Sequence, residues 1–274
     1  MENARVPTPF GPAVNEIPLF KPPLALVVAQ IRFPPIASIA NESFIGRFQE
    51  AIRERYPILR REQETALMVT PEGILPAGAP GTLWYFSSTD GAWRISLASS
   101  FVALQATEYT SRSDFFERLD QAVLAVEDCF KPAVVDRLGV RYVDRFEDTV
   151  PQRVAKLVRS ELYGIIDSDL GVKRVQLRHS ITDTIYSMGG PLLHARWGWL
   201  PKGMMVDPTM APAKTDSWLL DLDMYVEETK PFDSAKLGAQ ARQFAEQIYR
   251  FFRWAVTDTM LEQYVAKSSG GASA

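Results

Sequence analysis

The stretch RLGVRYVDRF, residues 137–146, decides the fold, because its residues sort by parity. Successive side chains of a strand point to opposite faces. Arg137, Arg141 and Arg145 therefore share one face, while Leu138, Val140, Tyr142 and Phe146 share the other. One side of such a strand wants a core and the other wants water or a charged partner. The same sorting recurs on both sides of this stretch. Arg174, Gln176 and Arg178 fall together on a predicted strand over 172–181, His194 and Arg196 on one over 192–199, and Asp221 with Asp223 on one over 218–225. Gln30 and Arg32 join them from a strand over 24–33.

Helical periodicity fills the gaps. A helix opens at Pro151 with Val154, Leu157, Val158 and Leu162 on one side. Asp233 caps a last helix that carries Leu237, Ala241, Phe244, Ile248 and Phe252 on one face. Residues 133–266 thus read βαβββα. The preceding part reads alike. After the first strand, stopped by Pro34 and Pro35, Asn41 caps a helix with Phe44, Ile45, Phe48 and Ile52, which Pro57 closes. Strands are predicted over 58–69, 82–87, 93–98 and 101–107. The first has a charged middle (Arg60, Arg61, Glu62, Glu64) suited to a sheet edge, and Asp90-Gly91 makes the turn between the second and third. A helix from Ser111 then presents Phe116, Leu119, Val123, Val126 and Phe130 before Pro132. Residues 24–132 read βαββββα.

The expectation is an α+β protein, two copies of one βαβ(3-4)α unit packed together, with a largely antiparallel sheet and its helices on one face. Element order alone is similar to the TATA-binding-protein-like layout. A helix-grip fold around a small ligand is the alternative. Residues 1–23 read as an extended proline-rich lead and 267–274 as a disordered Ser/Gly/Ala tail.

Composition narrows the class. Over 274 residues, 46% are hydrophobic and 23% charged, enough to bury a substantial core. The net charge of −3 gives a nucleic-acid partner no support beyond a local patch. A single cysteine, Cys129, allows no intramolecular disulfide and reads as packing on a helical stripe. The N-terminus lacks a charged-then-apolar leader, and no run approaches the roughly 18 apolar residues that span a bilayer. The cytoplasm is the expected compartment, with no membrane association.

Three segments carry a family resemblance: PPLALVVAQIRFPP near the start, RLGVRYVDRF in mid-chain, and the closing RQFAEQIYRFFRWAVTD. Together they resemble a sporadically distributed prokaryotic protein family of unknown function, over Pro18 to Val265. Asp144 stands where the mid-chain motif is expected to carry asparagine. The resemblance implies a single folded unit and transfers no chemistry.

The arginine stripe admits two readings. It is either the water-facing side of a one-sided sheet, with arginines paired across strands to Asp221 and Asp223, or a recognition surface for an acidic or phosphate-bearing partner. The candidate face comprises Arg137, Arg141, Arg145, Arg174, Arg178, His194, Arg196, Asp221 and Asp223. The long loop over 201–216, with Met204, Met205 and Met210, is a candidate contact surface or a lid folded over the core. His179 and His194 have no ligand-like spacing, and no nucleotide-binding, nucleophile-elbow or zinc motif occurs, so no cofactor or metal is expected. The leading expectation is a non-enzymatic binding or regulatory protein that holds a protein partner or another copy of itself through the charged face or the loop. A metal-dependent phosphoryl-transfer or nucleic-acid-processing enzyme centred on Asp221 and Asp223, and a small-ligand receptor, are the alternatives.

Overall fold

A computed structural model describes residues 6–19, 22–64, 67–70, 73–76, 81–169, 171, 174–205 and 210–264. The tail over 267–274 lies outside them. In chain order the elements are β1 (Leu24–Arg32), α1 (Glu42–Ile52), β2 (Ile58–Glu64), β3 (Leu67–Thr70), β4 (Gly73–Pro76), β5 (Gly81–Ser87), β6 (Trp93–Ala98), β7 (Phe101–Ala106) and α2 (Arg112–Phe130). Then follow β8 (Val134–Glu147), α3 (Pro151–Leu157), α4 (Ser160–Tyr163), β9 (Ser180–Ser187), β10 (Leu192–Leu200), β11 (Ser217–Pro231), α5 (Ser234–Ala255) and α6 (Asp258–Tyr264).

Nine strands form one sheet in the order β2-β5-β6-β7-β1-β8-β11-β10-β9, and every pairing is antiparallel. The fold is α+β. β1 and β8 sit side by side at the centre. Outward from β1 run β7, β6, β5 and β2, and outward from β8 run β11, β10 and β9, so the two parts of the chain lay down strands in corresponding order. All six helices bury residues in one cluster with one face of the sheet: Ile45, Phe116, Val154, Leu162, Phe252 and Met260 meet Val27, Ile95, Leu138, Ala195 and Leu220. The helices therefore cover a single face. Among the described residues no helix is long and apolar enough to cross a membrane.

Local chemistry sets the element ends. Asn41, Ser111 and Asp233 each accept a backbone N–H with the side chain, from Ser43, Asp114 and Lys236 respectively. The β5–β6 turn closes with Gly91 at φ 73°, and Asp90 Oδ1 accepts from Ala92 N at 2.9 Å.

Three expectations need correction. The single strand expected over 58–69 ends at Glu64, and β3 with β4 forms a separate two-stranded hairpin. The helix expected from Pro151 through Leu162 breaks at Val158 and Arg159. The cause is a second break directly opposite, between α5 and α6. Val158 bridges Val256, Arg159 N donates to Ala255 O at 3.0 Å, and Thr257 N donates to Leu157 O at 3.0 Å. Reciprocal interchain-like bonds between two opened helices replace the intrahelical ones, and tertiary pairing overrides the apolar period. Finally, the strand expected over 172–181 begins only at Ser180; among described residues 174–179 no strand forms. Its partner β10 runs out at Leu200, with Trp199 opposite Ser180, so the earlier residues have no ladder to join.

Of the loop expected over 201–216, residues 206–209 lie outside the described residues. Met210 and Met204 pack onto Leu26, Val143, Leu200 and Leu219 on the helix-free face, whereas Met205 is half exposed. The described part of the loop is a partial lid over one end of that face.

Candidate functional site

The helix-free face gathers most of the charged residues expected there. Antiparallel register puts Asp221 opposite Arg196, and Asp223 opposite both His194 and Arg141. Asp221 is buried and spans two guanidiniums: Oδ1 accepts from Arg141 Nε at 2.7 Å, and Oδ2 accepts from Arg141 Nη2 at 2.9 Å. The same Oδ2 accepts from Arg196 Nε at 3.1 Å and Nη2 at 2.5 Å. Arg137 reaches Asp223 at 3.4 Å and Gln30 Oε1 at 3.3 Å, and stacks 4.6 Å over the Tyr225 ring. Gly139 makes room for that reach, since a Cβ there would lie 2.7 Å from Arg137 Nη1. Burial pushes the Asp223 carboxyl above its ordinary range, against the lowering pull of Arg137 and Arg141. His194 Nε2 meets Asp183 Oδ1 at 2.8 Å.

Other members of the set fall elsewhere. Arg145 is on the same strand face but turns to the lid, where its Nη1 donates to Ala211 O at 3.0 Å. Arg174 and Arg178 stand exposed outside the sheet; they do not join the face, because the residues around them carry no strand. With both Asp221 oxygens held by arginine, the Asp221–Asp223 pair offers a cation little, and no cluster of metal-ligating side chains occurs among the described residues. Around Asp221 and Asp223 the face is a crosslinked network of paired charges.

A second site lies on the opposite side of the sheet, under the helices. A cavity of about 390 Å³ has Leu24, Tyr142 and Asp144 from the sheet as its floor and Ile248, Tyr249 and Phe252 of α5 as one wall. Tyr109, just before α2, and the segment around Ile17 complete it. That segment is pinned to α5 where Ile17 N donates to Tyr249 Oη at 2.7 Å. At the mouth Arg112 pairs with Glu16 at 3.7 Å and lies 5.0 Å over the Tyr249 ring.

Asp144 is the anomaly. It is 4% exposed, lines the cavity, and makes no hydrogen bond or ion pair with any described residue. Burial, with a contribution from Asp221 through the sheet, pushes its carboxyl up to about 8. Nearby, the Tyr109 and Tyr142 hydroxyls approach to 3.5 Å. Burial pushes Tyr109 up to about 12 and Tyr142 well above its ordinary value. One carboxyl and two phenol hydroxyls thus share a cavity ringed by aromatic side chains.

The signal for this site was present in the parity of 137–146, which puts Asp144 between Tyr142 and Phe146 on the apolar face. An aspartate in a core stripe is a buried charge in search of a partner. No protein-family model matches the chain, and no curated protein matches it, so the functional reading rests on this geometry.

Proposed function

We propose that this is a ligand-binding protein that takes a compact organic cation, an amine with an apolar body, into the helix-side cavity. The carrying observation is Asp144, a buried carboxyl facing the cavity with no partner among the described residues, surrounded by Tyr109, Tyr142, Tyr249 and Phe252. An ammonium group would supply the missing counter-charge, and aromatic faces favour cations. The charged sheet face supports this order of preference, because Arg137, Arg141 and Arg196 already have Asp221 and Asp223 as partners.

Matched probes test the reading: benzylamine against benzyl alcohol, by titration calorimetry on the full chain. Benzylamine is expected to bind more tightly, and Asp144→Asn to weaken it by roughly 100-fold while leaving benzyl alcohol unchanged. Asparagine matches the carboxyl in shape, so the variant keeps the fold. Equal affinity for the two probes, or no binding of either, would count against an amine site.

A partner protein is a second reading, favoured by one edge of the sheet. β2, at one end, is armed with Arg60, Arg61 and Glu62, whereas β9, at the other, exposes Ile181 and Ile185. The run ITDTI over 181–185 is symmetric about Asp183. Two copies pairing antiparallel there would set Ile181 against Ile185 of the second copy, each Asp183 keeping its own His194. Sedimentation of wild type and Ile185→Lys at increasing concentration decides it: a dimer abolished by the lysine is expected, and a wild type that stays monomeric removes the reading.

A further inference from the structure

The paired helix breaks enclose a second cavity, separate from the one holding Asp144. Its volume is about 470 Å³, and its lining comes from the α3–α4 break, the α5–α6 break and Val6. Two arginines face it, Arg159 and Arg253, which are 8% and 7% exposed. Arg159 is anchored: its Nε donates to Trp254 O at 2.5 Å, a second nitrogen donates to Val6 O, and the guanidinium lies over the Trp254 ring.

Arg253 is different. Its Nε and Nη1 are buried with no hydrogen-bond partner, and among the described residues no carboxylate pairs with it. Its place in the last turn of α5 gives it the partial negative charge of that helix end. A helix end does not satisfy buried guanidinium donors, and an uncompensated buried cation is among the costliest groups a fold can keep. The remaining polar lining includes the hydroxyl-bearing residues Ser160, Tyr163 and Thr259. Two carboxylates stand near. Asp258 lines the rim and is exposed, and Glu161 accepts from Ser160 Oγ at 3.0 Å. Neither is paired with Arg253.

We propose that this junction is a binding site for a phosphate group, free or as a small monoester, with the Arg253 fork as its principal ligand and Arg159 as a fixed second charge. Planar guanidinium donors match tetrahedral oxyanions bidentately, and a bound dianion gives the buried Arg253 guanidinium the counter-charge it lacks. The ligand also locks two helix breaks together, since its contacts come from α4, α5 and the start of α6.

Thermal unfolding and calorimetry on the full chain test this, with inorganic phosphate, phenyl phosphate and chloride at constant ionic strength. Phosphate is expected to raise the wild-type melting temperature where chloride does not. Arg253→Met is expected to weaken phosphate binding roughly 10- to 100-fold, while without phosphate it is at least as stable as wild type, because a buried unpaired charge has been removed. Arg253→Lys keeps a charge but loses the fork, and is expected to bind phosphate less tightly than wild type. Tighter binding of phenyl phosphate than of inorganic phosphate assigns a monoester; equal binding assigns the free ion. An identical phosphate response in wild type and Arg253→Met, or no response in wild type, overturns the proposal.

Discussion

Asp144 couples stability to pH in a direction that can be worked out. An aspartate in the unfolded chain titrates near its ordinary 3.8, whereas burial moves the folded group to about 8. Below the lower value both states are protonated and nothing is lost. Between the two the unfolded chain releases a proton that the folded one retains, so stability falls as pH rises and the loss is complete above about 8. Asp144→Asn is therefore expected to match wild type at pH 4 and to melt higher at pH 9, by roughly 2–4 °C for each kcal/mol relieved, as scanning calorimetry at the two pH values would show. Asp221 predicts the opposite behaviour on removal. Asp221→Ala removes the acceptor that Arg141 and Arg196 share, and a loss of about 3–5 kcal/mol is expected in urea unfolding; a loss under about 1 kcal/mol would mean that the network relaxes freely. The charged face was legible in the sequence for Arg137, Arg141, Arg196, Asp221 and Asp223, because period-2 parity survives folding. It was not legible for Arg174 and Arg178, whose alternation has no neighbouring strand to make it count. Asp144 obeyed the same parity, but only the packed helices reveal that it borders a cavity.

Where elements begin and end depended on two kinds of information. Caps at Asn41, Ser111 and Asp233 are written in adjacent residues, and the helices start where those residues direct. Asn41→Ala is expected to cost about 1 kcal/mol in chemical denaturation. Breaks are another matter. The α3–α4 interruption is imposed by Val256, Ala255 and Thr257 from the other end of the chain, and no local pattern around Val158 could announce it. Gly198 shows the same dependence on distant chain. A Cβ on it would come within 1.9 Å of Ser180 O, so β9 pairs with β10 at a point where only glycine leaves space. Gly198→Ala is expected to displace β9, seen as loss of hydrogen-exchange protection over Ser180–Ser187 with the central strands unaffected. Retained protection there would show that the backbone yields without unpairing.

For the molecule as a whole, strand-helix order was sufficient to anticipate an antiparallel sheet with helices on one face, because alternation sets sidedness and helical stripes need that side. The neighbour relations were not accessible, and the most consequential is the pairing of β1 with β8. The earliest strand of the chain is hydrogen-bonded on one side by β7 and on the other by a strand that follows α2. Until β8 has left the ribosome, an emerging chain holds an open ladder at what will become the middle of its sheet, with Leu26, Val27, Val28 and Ala29 along it. A fragment ending at Pro132 would present that ladder to its own kind, and it is expected to aggregate at concentrations where the full chain stays dispersed. Synthesis in the reverse order of halves, by circular permutation, would move the vulnerable moment without abolishing it, since whichever central strand comes first must wait for the other.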